Sequence, residues 1–80
     1  KFFKKKNPNS YTYSLFKEGI KEMAKKVTEE AGEVAIAAVT NDDQVEEESA
    51  DLLYHLLVML RKMDLSFNDV VKVLEQRSAK

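Results

Sequence analysis

The chain has 80 residues, 13 Lys and Arg against 14 Asp and Glu, one histidine and no cysteine. That length allows a single small domain over residues 1–80. A monomer of this size buries only about 60–65% of the surface its unfolded chain exposes, so a metal or a partner chain must add stability. The composition excludes disulfides and thiolate metal sites, and with His55 as the lone imidazole it argues against a multi-histidine zinc site. A net charge of -1 leaves no basic field for nucleic acid, and no apolar run spans a membrane, so the chain reads as a soluble, cytoplasmic protein.

Residues 1–6, with Lys4, Lys5 and Lys6, read as the end of a helix that Asn7-Pro8-Asn9 breaks. The chain opens on Lys1 without methionine, which reads as a trimmed chain or a piece of a longer polypeptide. Ser10-Tyr11-Thr12 offers N-caps for a short helix that Gly19 ends or kinks. A long helix follows over Ile20–Val39, with Ile20, Met23, Ala24, Val27, Ala31, Val34, Ala35 and Ala38 at spacings of three and four. Thr40-Asn41-Asp42 forms a turn, and Asn41 or Asp42 caps a helix over 43–62. Ser66-Phe67-Asn68-Asp69 has the form of a capping box, with Asp in the fourth position, and opens a last helix.

No stretch alternates apolar and polar residues long enough for a strand, so the chain is expected to be all-α. Leu52, Leu53, Leu56, Leu57, Val58, Met59 and Leu60 make the second long helix apolar on most sides. A monomer cannot cover such a helix. The simplest remedy is an antiparallel helical bundle completed by a homodimer or a higher homo-oligomer.

Two acidic pairs carry the chemistry. Glu30 and Glu33 lie one turn apart on the first long helix, with Glu29 alongside, and Glu48 and Asp51 lie one turn apart on the second. Both pairs are expected on the shoulders of the apolar stripes, where two antiparallel helices aim them at a common point. Carboxylates brought together in a half-buried site repel unless a cation sits between them. Oxygen donors suit a hard ion such as magnesium, manganese or calcium, and a bound magnesium would polarise a phosphoryl oxygen and acidify a bound water. Lys26 projects with Glu30 and Glu33 and is the best candidate for a phosphate contact. His55 follows Asp51 by four residues, so a structural hydrogen-bonded pair and a substrate contact stand level.

The plainer account is that such residues decorate solvated helices. Glu22 with Lys26 and Lys25 with Glu29 form ordinary i, i+4 pairs, and Asp43, Glu46 and Glu47 suit a helix N-terminus. A single E-x-x-E is more often solvated than ligating. Two on consecutive helices shift the balance towards a site. A ferritin-like di-iron centre is disfavoured, because neither helix carries Glu-x-x-His.

Asn7-Pro8, Ser10-Tyr11-Thr12, Lys26-Val27-Thr28-Glu29-Glu30-Ala31-Gly32-Glu33-Val34 and Glu48-x-x-Asp51-Leu52-Leu53-Tyr54-His55 together resemble one known family. The acidic signature resembles the MazG-like all-α nucleotide pyrophosphohydrolases. The added strings resemble, more closely, the phosphoribosyl-ATP pyrophosphohydrolases of histidine biosynthesis. Two features depart from that family's pattern: Thr28 stands where it usually has glycine, and the first helix is shortened at its start.

The resemblance implies a MazG-like bundle and magnesium-dependent hydrolysis of 1-(5-phosphoribosyl)-ATP to 1-(5-phosphoribosyl)-AMP and pyrophosphate. It also implies fusion to, or contact with, phosphoribosyl-AMP cyclohydrolase. By the matching positions, Glu30, Glu33, Glu48 and Asp51 are the metal ligands. Glu29 and Glu30 are the catalytic carboxylates, with Glu29 a further ligand or the residue that positions water. Lys26, Ser10, Tyr11, Thr12 and His55 contact substrate, unless Ser10, Tyr11 and Thr12 serve as caps. Two other readings stay open: a housekeeping pyrophosphohydrolase of a (deoxy)nucleoside triphosphate, and a non-enzymatic helical dimerisation module.

Overall fold

The computed structural model describes residues 8–79 as four helices: α1 (Pro8–Glu18), α2 (Ile20–Val39), α3 (Val45–Lys62) and α4 (Phe67–Ser78). No strand occurs among the described residues, as the absence of alternation predicted. The helix end expected over residues 1–6 lies outside them. No helix among the described residues is long and apolar enough to cross a membrane.

α1 starts earlier than its sequence suggests. Pro8 occupies the first turn, where a missing N–H costs nothing. Ser10 and Thr12 therefore sit inside the helix and not at its N-cap position. Gly19, at φ 94°, separates α1 from α2 in a conformation that L side chains rarely adopt.

The ends of α2 and α3 use the same device. Asn41 (φ 56°) and Asp64 (φ 63°) take the left-handed position just past each helix. Asp42 N–H reaches back to the Ala37 carbonyl at 2.9 Å and Asn41 N–H to Ala38 at 3.3 Å. Leu65 N–H reaches Leu60 at 2.8 Å and Asp64 N–H reaches Arg61 at 3.0 Å. Both are Schellman closures, which satisfy the orphan carbonyls of a last turn. Asn41 thus ends α2 and does not cap α3. Asp42 Oδ1 accepts from Gln44 N–H at 2.9 Å, and this local turn delays α3 to Val45, two residues later than expected.

α4 opens with the predicted capping box. Ser66 Oγ accepts from Asp69 N–H at 3.2 Å, and Asp69 Oδ2 accepts from Ser66 N–H at 2.8 Å. The backbone bond, then the side-chain bond, holds the Asp69 carboxyl below the usual carboxylate range. The cap is therefore intact at neutral pH and lost only as the pH falls through that lowered value. α4 has no buried residue, so local terms dominate its stability. Ser66→Ala is expected to cost about 1 kcal/mol of α4 stability, read as lost helical circular dichroism and faster amide exchange over residues 67–72.

The core forms where α1, α2 and α3 meet. Tyr11 and Leu15 of α1, Met23 of α2 and Val58 of α3 are its buried members, with Phe16, Tyr54 and Met59 packed against them. The short turn after α2 brings α3 back along it, antiparallel, so that Met23 lies towards Val58 at one end and Glu33 meets Glu48 at the other.

Candidate active site

On α2 the buried positions are Met23, Glu30 and Ala37, seven residues apart. On α3 they include Asp51, His55 and Val58, at i, i+4 and i+7. Glu30 and Asp51 therefore occupy the middle of the buried seam. The expectation that these carboxylates ride on its shoulders is corrected: Glu30 is only 5% exposed and Asp51 3%. Apolar spacing could not show this, because polar residues hold central places in the seam.

Glu30, Glu33 and Glu48 converge. One carboxylate oxygen from each lies within 4.8 Å of the other two, with Glu30 buried, Glu48 half-buried and Glu33 exposed. This joins a pair from α2 to a residue from α3 and grades from core to solvent. Three oxygen donors with an open, wet side match what a hard divalent cation takes while keeping several waters. Asp51 lies one turn deeper and outside this trio. It sits beneath His55, which donates from Nδ1 to the Asp51 carbonyl oxygen at 2.8 Å.

That bond determines the tautomer. In the neutral ring, with the proton on Nδ1, Nε2 is the acceptor and the Tyr11 hydroxyl donates to it at 2.6 Å. His55 is 1% exposed and Tyr11 is buried as well. The Tyr11 ring meets His55 edge-on, with centroids 5.6 Å apart, and lies nearly parallel to Tyr54 at 6.0 Å. Thr12 Oγ1 and the Tyr54 hydroxyl form a second hydrogen bond between α1 and α3. Burial first, then the hydroxyl of Tyr54 and the carboxylates of Glu30, Glu18 and Asp51, push the Tyr11 phenol well above its ordinary value, so it stays neutral.

The remaining sequence-predicted residues lie further out. Lys26 Nζ stands 3.9 Å from Glu29 Oε1, and the Glu29 side chain is about half exposed. Ser10 is exposed on α1. Thr28 Oγ1 donates back to the Ala24 carbonyl at 3.1 Å, so threonine at this position fits the helix without disturbing it. Sequence reasoning did not single out Arg61. It borders an open groove of about 460 Å³ lined also by Thr12, Phe16, Tyr54, Leu57 and Val58. The available signal was its spacing of seven from Tyr54, which places both on one side of α3.

The family model described as phosphoribosyl-ATP pyrophosphohydrolase matches residues 3–78. The chain is 57% identical over 72 residues to the phosphoribosyl-ATP pyrophosphatase of Pyrobaculum aerophilum, covering 89% of this chain and 77% of that protein. It is 54% identical, with the same coverage, to the phosphoribosyl-ATP pyrophosphatase of Pyrobaculum arsenaticum. It is also 52% identical to a histidine biosynthesis bifunctional protein of Buchnera aphidicola, where it covers 90% of this chain but only 35% of the longer protein. No solved structure gives a significant match.

Proposed function

The chain belongs to the phosphoribosyl-ATP pyrophosphohydrolase family, and from that premise we propose that it hydrolyses the α–β phosphoanhydride of 1-(5-phosphoribosyl)-ATP in a magnesium-dependent reaction. Water adds to phosphorus, the bridging P–O bond breaks, and phosphoribosyl-AMP and pyrophosphate leave. The observation that carries the metal part of this reading is the convergence of Glu30, Glu33 and Glu48.

Glu30, Glu33 and Glu48 would hold magnesium, with Asp51 completing or supporting the set from below. When bound, the ion neutralises phosphate charge and makes a water more acidic. The chain's own residues do the rest. Glu29, next to Glu30 on α2 and half exposed, or Glu30, within the trio, takes the proton of the attacking water. Lys26, beside Glu29, offers its ammonium to a phosphate oxygen. Ser10 and Thr12 would contact the substrate from α1. Manganese, with the same preference for oxygen donors, is expected to substitute.

The family match argues against a plain nucleoside triphosphate as substrate and against a non-enzymatic dimerisation module. Turnover of phosphoribosyl-ATP, dUTP, dCTP and ATP, each with magnesium or with chelator, tests the assignment. Phosphoribosyl-ATP with magnesium is expected to lead by at least ~100-fold in kcat/KM. A preference for any plain triphosphate would overturn the substrate, and full activity in chelator would overturn the metal.

The active form is inferred to be a homodimer. Leu53 is 49% exposed, and Leu57 and Ile36 are also bare. The accessible surface is 6028 Å², against about 4,900 Å² for a compact 9.2 kDa monomer. The excess, roughly 1,100 Å², is more than the ~800 Å² per partner that a standard interface covers. The radius of gyration, 14.1 Å, likewise exceeds the ~11.6 Å of a compact chain of this length. Similarity to the bifunctional Buchnera protein supports a working link, by fusion or contact, to the cyclohydrolase that acts next.

A further inference from the structure

We propose that Tyr11 is a positioning residue for the carboxylate trio: anchored through its hydroxyl on His55, it sets how closely the acidic faces of α2 and α3 approach. The inference rests on the metal part of the reading above. It assigns Tyr11 and His55 a role distinct from substrate contact.

Three elements meet at this one side chain. Tyr11 belongs to α1, its hydroxyl is bonded to His55 of α3, and its side chain shares the buried core cluster with Met23 of α2. α1 is the helix that packs on both α2 and α3, and they carry the trio between them. Tyr11 and His55 are both buried, with little surface to offer a ligand. In the neutral imidazole their bond has one direction, because the Asp51 carbonyl holds the His55 proton on Nδ1 and leaves Nε2 to accept. The ring stack of Tyr11 on Tyr54 and the bond from Thr12 to Tyr54 brace the same joint.

The chemistry makes such bracing consequential. Magnesium takes its oxygens at about 2.0–2.1 Å in near-ideal octahedral geometry and tolerates little slack. Glu30 and Glu33 share a helix and keep their spacing unaided. Glu48 is on the other helix, so the distance across the seam depends on what wedges it. An error of about 1 Å in placement costs on the order of 10²-fold in rate.

The test compares the parent with Tyr11→Phe, His55→Leu and the double variant. Three quantities are read: affinity for Mn²⁺ by electron paramagnetic resonance without substrate, thermal midpoint in chelator, and kcat and KM for phosphoribosyl-ATP at saturating magnesium. Tyr11→Phe keeps the ring and removes one hydroxyl. Expected are a loss of Mn²⁺ affinity of about ten-fold or more, a midpoint within a few degrees of the parent, and KM within about two-fold. His55→Leu should match it, and the double variant should be no weaker than the worse single. His55→Gln, whose amide oxygen can accept from Tyr11, should restore part of the loss.

Unchanged Mn²⁺ affinity with a lowered midpoint would overturn the proposal in favour of packing alone. Unchanged affinity with a raised KM would overturn it in favour of substrate contact. A parent that binds no Mn²⁺ removes the metal reading and the inference together. A parent that binds Mn²⁺ but does not turn over phosphoribosyl-ATP removes only the substrate, and the metal titration still decides the role of Tyr11.

Discussion

A Glu48→Gln variant is expected to lose phosphoribosyl-ATP turnover by on the order of 10²–10³-fold or more while melting, in chelator, at or above the parent's temperature. The two effects run in opposite directions because one arrangement causes both. Glu30, Glu33 and Glu48 bring negative oxygens within 4.8 Å of one another, which is repulsive when no cation is present. An isosteric amide removes one charge and keeps the packing, so the fold gains what the site loses. Adding magnesium should reverse the order. The parent gains stability with ion concentration, by about 2.7 kcal/mol at a hundred times the dissociation constant, and the variant gains little. Calorimetry of both proteins across a magnesium series measures this crossing. A variant that melts lower than the parent in chelator would mean the glutamate is structural, and undiminished turnover would remove it from the reaction.

The second large effect concerns assembly. Leu53→Glu combined with Leu57→Glu is expected to raise the dimer dissociation constant by at least ~10³-fold. Burying each leucine contributes about 1.5–3 kcal/mol, and burying an unpaired carboxylate adds a penalty of its own. Leu53 and Leu57 face away from the side of α3 that carries Asp51, His55 and Val58. The change therefore spares the monomer's core and strikes the uncovered side. Sedimentation velocity should show a shift from a two-chain to a one-chain species, and the parent's melting temperature should rise with protein concentration where the variant's does not. A parent that already sediments as a monomer would end the dimer reading, and an unchanged coefficient in the variant would move the interface elsewhere.

The elements were legible in the sequence because their local signals are strong. Gly19 marked the break between α1 and α2, and Ser66 with Asp69 marked the start of α4. The misplaced ends share a cause. Pro8, Asn41 and Asp42 each have two local uses, breaker or first-turn residue, cap or terminator, and only the backbone path selects one. The acidic pairs were legible as a pair of turns, but their depth was not. Hydrophobic periodicity locates a buried face by its apolar members, so it placed Glu30 and Asp51 beside the seam, whereas their own burial puts them in its centre. The Tyr11–His55 bond spans 44 positions, and no pattern within either helix announces it.

Gly19 also sets how α1 lies against the other helices. The bonds from Gly19 N–H to the Leu15 carbonyl and from Met23 N–H to the Gly19 carbonyl, each 3.2 Å, already bridge the break. A methyl group at this position would meet no neighbouring atom, so the barrier to any other residue is backbone conformation alone, at roughly 1–3 kcal/mol for this extended, positive-φ geometry. A side chain here would favour straightening residues 8–39 into one uninterrupted rod about 48 Å long. α1 would then swing off α3, taking Tyr11 away from His55 and offering its apolar side to a neighbouring molecule. The backbone conformation of one residue thus separates a chain that folds back over its own acidic seam from one whose first helix stands away from it.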